Sequence, residues 1–204
     1  MRILRKASAL AVTAMLAVPT TAAFAYDGSR TVKAEGRFVP PSPFHPSKPL
    51  TYDSKKVPVG ARISVVEHVG GRVGGATTSV RLQVSGLLPN RMYGAHVHTK
   101  QCGRTPDASG PHYQNVKDPH QPSTDPAYAN SENEVWLDFT TDVRGHATAE
   151  SRHDWRFRPG AARSVVIHEH GTATKHGKAG MAGARLACLT VPFAGTTDEA
   201  GTGK

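Results

Sequence analysis

Gly94-Ala95-His96-Val97-His98 is the stretch on which the interpretation of this chain depends. In a β-strand successive side chains point to opposite faces, so His96 and His98 lie on one side and Val97 lies on the other. Two neighbouring imidazoles on a stiff strand provide half of a transition-metal site, because imidazole suits copper, zinc, iron and nickel. An exposed strand can carry such a pair without binding a metal, so the rest of the chain must supply further ligands.

The first 25 residues have the layout of a secretory signal peptide. Three basic residues lie within the first six, residues 9–18 are apolar, and residues 23–25 (Ala-Phe-Ala) have the small-x-small pattern of a cleavage site. The apolar stretch is too short to span a bilayer, and no later segment is apolar enough to form a membrane helix. We therefore expect cleavage near Ala25 and a secreted mature protein without a membrane span.

The mature chain, residues 26–204, is long enough for one domain with its own core. Removing the three signal-peptide charges from the formal net charge of +9 leaves +6, which favours anionic partners such as a small anionic substrate. The basic residues are scattered and do not cluster with aromatic side chains, and no nucleic-acid-binding motif is present. The sequence therefore argues against a nucleic-acid partner.

Within the mature chain we expect a single structured domain over residues 51–193. Residues 39–46 are proline-rich, so they cannot supply a full strand ladder, and they have no helical period. This favours an irregular, Pro-rich leader over residues 26–50. Residues 194–204 are rich in glycine and threonine and are interpreted as a flexible tail.

Short alternating segments predict an all-β fold. In residues 78–84, Val80, Leu82 and Val84 alternate with polar side chains, as in a half-buried strand. Similar strands are expected at 61–68, 92–98, 135–141, 146–151, 164–168 and 186–191. Without any sustained helical stripe, the pattern predicts a Greek-key β-sandwich or barrel of about eight antiparallel strands.

Two long connections interrupt this rhythm, residues 99–134 (the first loop) and residues 169–184 (the second loop). Loops of that length in a compact domain are usually functional. Cys102 in the first loop and Cys188 after the second are the two cysteines of the chain. In an exported protein they most simply form one disulfide, with two free thiols as the alternative. Closing a loop of this size predicts roughly 4–5 kcal/mol of stabilisation from chain entropy.

Four short motifs follow one another along the chain in a defined order. They are Gly94-x-His96-Val97-His98, Gly110-Pro111-His112-Tyr113, Val165-x-Ile167-His168-Glu169 and Gly180-x-Ala182-Gly183-x-Arg185-Leu186-Ala187-Cys188. With the cysteine pair, this series resembles the copper/zinc superoxide dismutase family over about residues 61–191. The resemblance implies a β-sandwich fold and the conversion of superoxide to oxygen and hydrogen peroxide by copper redox cycling.

The resemblance also implies roles for particular residues. The copper ligands would be His96, His98, His112 and His168. His112 would in addition be the imidazole that bridges copper to zinc in the family and delivers a proton to the product. Arg185 would guide the superoxide anion, and Cys102 and Cys188 would form the intrasubunit disulfide. His170, two residues after His168 and on the same face, is the rival for the fourth copper position.

The zinc half of the family's site is incomplete in this sequence. His120 has the spacing of the first further zinc ligand, eight residues after His112. The positions expected for a second histidine and an aspartate hold Ala129 and Glu132 when counted from His112, and Tyr128 and Ser131 when counted back from Val135. A structural zinc ion normally takes four protein ligands. The pattern therefore favours a copper-only variant in which zinc is doubtful.

One further expectation follows from the missing zinc ligands, and one further position departs from the family pattern. Asp125 or Glu132 would either complete an improvised zinc site with His120 or would bind the free nitrogen of His112. The family's aspartate four residues after the fourth copper ligand is replaced here by Thr172.

We therefore expect an exported superoxide dismutase. One alternative is an extracytoplasmic protein that captures or buffers copper with the same four imidazoles and has no significant turnover, although a buffer has no need of an arginine beside the metal. A third possibility is a structural envelope protein that adheres through its basic surface. The sequence leaves the oligomeric state open between monomer and dimer.

Overall fold

The fold is a sandwich of two antiparallel sheets. A computed structural model describes residues 29–42, 49–70 and 77–194. These residues form nine strands and no α-helix. The strands are β1 (Arg30–Arg37), β2 (Leu50–Thr51), β3 (Arg62–Gly70), β4 (Thr77–Ser85), β5 (Met92–His98), β6 (Phe139–Thr140), β7 (Ala147–His153), β8 (Ser164–His168) and β9 (Arg185–Thr190). The predicted all-β sandwich is confirmed, with nine described strands where about eight were expected.

The nine strands divide between two sheets, and chain neighbours such as β3 and β4 or β8 and β9 share a sheet. One sheet has the order β1-β3-β4-β7, and the other has the order β2-β9-β8-β5-β6. In β3 and β4 alternate side chains, such as Val65 and Leu82, enter the core, while the polar residues between them face outward. Within the described ranges, the model contains no helix long and apolar enough to cross a membrane.

Strands β5 and β8 are buried on both faces, which distinguishes them from the half-exposed strands of the first sheet. Ala95 and Val97 of β5 pack in the core with Val165 and Ile167 of β8. The opposite face of β5 carries Gly94, His96 and His98, and the two long loops cover it. A Cβ on Gly94 would lie 2.5 Å from the carbonyl oxygen of His170 and 2.8 Å from Cβ of Ala182. Glycine at this position therefore lets the second loop approach the histidine-bearing face.

The prediction of an irregular leader over residues 26–50 is wrong for residues 30–37. Arg30–Arg37 forms β1 and pairs with β3 along its whole length, from Arg30 opposite Val69 to Arg37 opposite Arg62. The structured domain therefore begins before residue 51. The expected signal peptide (residues 1–25), residues 43–48 of the proline-rich segment and the expected tail (residues 195–204) lie outside the described residues.

The expected disulfide between Cys102 and Cys188 is confirmed, with the two Cα atoms 5.7 Å apart. It ties the first loop to β9, and the amide of Cys102 donates to the hydroxyl of Thr190 on the same strand. Residues 106–109 of the first loop form a short 3-10 helix. The start of the first loop is therefore held against the sheet that carries the histidines.

Candidate metal centre

Four histidines from three separate segments converge on one face of the second sheet. His96 and His98 lie on β5, and His168, at the end of β8, pairs with Gly94 across the strands. His112 comes from the first loop, which forms an isolated bridge with His98. One nitrogen from each of the four rings lies within 4.8 Å of the others. The structure thus brings together the four histidines that the sequence analysis had grouped.

Each imidazole uses one nitrogen to contact the protein and leaves the other for the cluster. Nδ1 of His98 lies 2.9 Å from the carbonyl oxygen of Gly110, and Nδ1 of His168 lies 3.4 Å from that of Gly183. The two remaining Nε2 atoms of these rings are 3.2 Å apart. His96 has the opposite orientation, since its Nε2 lies 2.7 Å from the Thr172 hydroxyl.

Nδ1 of His96 is buried and has no hydrogen-bond partner in the described structure. A buried polar atom without a partner costs about 1–3 kcal/mol, and a metal ion held by the other three rings would satisfy it. Four imidazoles suit copper, zinc, iron or nickel and do not suit magnesium or calcium. The residues present therefore fit a transition metal such as copper.

Burial keeps these imidazoles neutral. It lowers the pKa of His96 and His98 well below the usual value, and the neighbouring His112 lowers them further. Burial, reinforced by His112, also lowers the pKa of His168 to about 3. Since an imidazole must be deprotonated to bind a metal, three of the four rings are ready to do so at neutral pH.

The nitrogen of His112 that faces away from the cluster is held by Glu134. Nδ1 of His112 lies 2.8 Å from Oε2 of Glu134, and the carboxylate also accepts hydrogen bonds of 2.8 Å from Nε1 of Trp136 and Nε2 of Gln114. The expectation of Asp125 or Glu132 as this partner is wrong. A sequence signal did exist, because Glu134, Trp136 and Asp138 alternate towards one face as in a strand.

Thr172 occupies the position at which the family's aspartate was expected, and Asp138 supports it. The Thr172 hydroxyl contacts Nε2 of His96 and donates to Oδ1 of Asp138 at 2.7 Å. The Thr172 amide donates to the other carboxylate oxygen at 2.6 Å. The Thr172 hydroxyl therefore connects His96 to the carboxylate of Asp138, which a different segment supplies. The sequence analysis did not identify Asp138 as part of the site.

Comparison with known proteins identifies the family. The family model described as copper/zinc superoxide dismutase matches residues 63–191, which are 129 of the 204 residues. The chain belongs to the copper/zinc superoxide dismutase family.

Among the solved structures that resemble this superoxide dismutase family member are two of low sequence identity. A double mutant of a SOD-like protein from Bacillus subtilis is 16% identical, with a TM-score of 0.46, covering 63% of this chain and 88% of that chain. The Cu/Zn superoxide dismutase from Brucella abortus is 19% identical, with a TM-score of 0.43, covering 80% of this chain and 98% of that chain. No match was found among curated proteins.

The residues expected on the zinc side do not join the histidine cluster. The side chain of His120 is 94% exposed, and its Nδ1 lies 3.8 Å from Asp118. The Asp125 carboxylate accepts a hydrogen bond from the amide of Ala127 and lines a groove with His120, apart from the four histidines. Over the described ranges, the four histidines are the one group of three or more His, Cys, Asp or Glu residues arranged to hold a metal ion. His170 lies outside this group, with a side chain that is 68% exposed.

The guanidinium of Arg185 is fixed at the edge of the centre. Arg185 pairs with His168 across β8 and β9, next to an irregularity in the strand register. Its Nη1 donates to the carbonyl oxygen of Pro106 at 3.2 Å and to Oγ of Ser109 at 3.0 Å. The guanidinium is close enough to contribute to the lowered pKa of His96, His98 and His168.

Proposed function

We propose that this chain is an exported superoxide dismutase that holds copper with His96, His98, His112 and His168. The observation that supports this most directly is the convergence of four imidazole nitrogens beside an anchored guanidinium. When bound at these nitrogens, copper supplies one-electron chemistry, accepting an electron from one superoxide and returning it to the next.

In this proposal Arg185 binds and orients the substrate. A guanidinium stays protonated throughout the physiological range, and superoxide is a small anion. The carbonyl of Pro106 and the hydroxyl of Ser109 hold Nη1, so the positive charge has a fixed position beside the histidines. A fixed cation at the site raises the rate of encounter with an anion, and salt weakens that effect.

His112 supplies a proton in this proposal. Glu134 holds Nδ1, so Nε2 is the nitrogen left on the side of the other histidines. Formation of hydrogen peroxide consumes two protons, and an imidazole can release one and take another from water. Nε2 would carry this proton only while it does not hold copper, and the buried Glu134 carboxylate would keep the ring oriented during the exchange.

We further propose that copper is the only resident metal. Glu134 engages the His112 nitrogen that a bridging role would require, and His120 and Asp125 lie away from it. The decisive experiment measures metal content and superoxide consumption on one sample reconstituted with both metals. We expect about one copper per chain, little zinc, and catalytic loss of superoxide.

The same experiment separates this proposal from its rivals. Stoichiometric zinc would contradict the copper-only assignment. Bound copper with no catalytic loss of superoxide would contradict the enzyme and support copper buffering. Protein that retains no copper would contradict both the enzyme and the copper buffer.

Export is proposed on the residue pattern of segment 1–25 and is supported by the disulfide, which forms in oxidising compartments. Sequencing the amino terminus of protein recovered outside the producing cell should begin at Tyr26. Recovery only inside the cell, with an intact amino terminus, would contradict export.

A further inference from the structure

A second groove lies beside the metal centre, on the outer side of the first loop. Its volume is about 750 Å³, and it is lined by residues 99–100, by several residues of the segment 111–122, and by Arg158 and Ala161. His112 lines one part of the groove, and its side chain is 17% exposed. Pockets of about 300–1,000 Å³ take small organic ligands, so this groove is far larger than a diatomic anion needs.

The charged lining of the groove has one sign. Lys100, Lys117 and Arg158 contribute positive charges, and no aspartate or glutamate lines it. Lys100 and Lys117 are exposed, and neither forms an ion pair with any part of the chain that the structure describes. The adjacent carboxylate, Glu134, is buried and already accepts three hydrogen bonds. The groove therefore presents positive charge that the described protein leaves unneutralised.

One of the three cations is held in place by packing and hydrogen bonds. The guanidinium of Arg158 lies 4.7 Å from the ring centroid of Tyr113 and donates to the carbonyl oxygens of Gln114 and Asn115. The stem of Lys100 lies close to Gly110, where a Cβ would come 3.0 Å from Cγ of the lysine. None of these contacts uses an acidic partner, so the positive charge remains available to a ligand.

The rest of the lining is largely apolar or neutral. Pro111, Pro122 and Ala161 supply apolar surface, and Gln114 and Gln121 supply amides. An inorganic anion would pair with the cations but leave the apolar surface exposed to water. A ligand with an apolar body would bury that surface as well, which is favourable.

We propose that this groove binds a small organic anion that carries a carboxylate on an apolar, ring-sized body. The carboxylate pairs with Lys100 and Lys117, and the body covers the two prolines beside His112. Binding is measured directly, so the proposal stands or falls separately from superoxide turnover.

The test is a calorimetric titration of the purified mature protein with naphthalene-2-carboxylate and with its neutral counterpart, naphthalene-2-carboxamide. We expect saturable binding of the carboxylate and weaker binding of the carboxamide. K117Q and K100Q should each weaken carboxylate binding about two- to fivefold, as expected for one exposed ion pair, and should leave carboxamide binding unchanged. K175Q, an exposed lysine on the second loop, is the matched control and should have no effect.

Equal affinity for the two compounds would overturn the proposal, because the cations would then have no role. An equal loss of affinity in K175Q and K117Q would also overturn it, since the effect would come from net charge and not from the groove. So would the absence of saturable binding up to about 10 mM, the weak end of small-ligand affinity.

Discussion

At the scale of single residues, the centre depends on which nitrogen each imidazole leaves for the cluster. Three backbone or carboxylate oxygens hold Nδ1 of His98, His112 and His168, and a hydroxyl holds Nε2 of His96. Partners of this kind orient the ring of a metal-binding histidine, and their loss typically lowers metal affinity 10- to 100-fold. Glu134 is the charged member of the set and is only 1% exposed.

Replacing Glu134 by glutamine should weaken copper binding by about 10- to 100-fold. The amide keeps the size of the side chain but loses the charge that holds Nδ1 of His112. If the amide oxygen accepts the bonds from His112 and Trp136, the NH₂ group faces the Nε2 donor of Gln114, and that bond is lost. Competition with a copper chelator measures the affinity.

Glu132→Gln is the matched control, since Glu132 is an exposed glutamate two residues away. It should bind copper as the parent does. Equal affinities for the parent and Glu134→Gln would remove Glu134 from the centre.

In the proposed function, Arg185 is the residue that attracts the substrate. Arg185→Gln should lower kcat/KM for superoxide by roughly tenfold, within the range of electrostatic steering, with copper content unchanged. The remaining rate should also depend less steeply on ionic strength. Arg144→Gln, in an exposed turn, serves as control. A variant that keeps the parental rate and salt dependence would contradict a role for Arg185.

At the scale of elements, β5 and β8 are buried on both faces because the loops cover the histidine-bearing side. The disulfide anchors the first loop to β9, and the 3-10 helix a few residues later supplies the two oxygens that hold Arg185. The position of the guanidinium relative to the histidines therefore depends on the loop being anchored.

The double variant Cys102→Ser/Cys188→Ser should lose roughly 2–5 kcal/mol of unfolding free energy, the usual cost of removing a native disulfide. It should also lose part of the Arg185-dependent rate, because the 3-10 helix is released from β9. Urea unfolding of the copper-free protein, with and without dithiothreitol, measures the first effect, and superoxide turnover without reductant measures the second. In the unfolding experiment the reductant should destabilise the parent and leave the variant unchanged, and an equally stable variant would contradict the anchoring role.

The strands themselves were predicted to different degrees. Alternation predicted β4, because one of its faces meets the core. It did not predict β1, where Val32 is the one buried apolar side chain. Backbone hydrogen bonds pair β1 with β3, and backbone pairing does not require an alternation of polar and apolar side chains.

At the scale of the whole molecule, Glu67 links β3 to the carboxyl-terminal end of the described chain. It occupies a core-facing position of β3 and accepts a hydrogen bond of 2.6 Å from the amide of Ala194, after β9. Its other carboxylate oxygen has no partner in the described structure. Burial raises the pKa of Glu67 to about 7, against smaller opposing effects of the Ala194 amide and of Arg30.

This raised pKa predicts how Glu67 affects stability. The folded protein binds the proton more tightly than the unfolded chain, so the favourable contribution is complete below about pH 4.5. It declines as the pH rises to about 7, by roughly 3 kcal/mol in total. Glu67→Gln should therefore be more stable than the parent at pH 8 and should have a flatter profile between pH 5 and 8.

Urea unfolding at several pH values measures this difference, and Glu35→Gln, on the exposed face of β1, is the control. The control should follow the parental pH profile. A Glu67→Gln profile as steep as that of the parent would contradict the prediction.

The sequence by itself determined the sandwich class through local periodicity, and its two cysteines suggested one disulfide. The grouping of the four histidines, and the expectation for Arg185, came from the resemblance of four short motifs to a known family. Only the tertiary structure decided that Glu134 and Asp138 support His112 and His96, that His120 and Asp125 lie apart, and that β1 belongs to a sheet. The physical reason is that each of these depends on how segments distant in the chain approach one another. Alternation can place Glu134 and Asp138 on one face, but it does not show which histidine each of them meets.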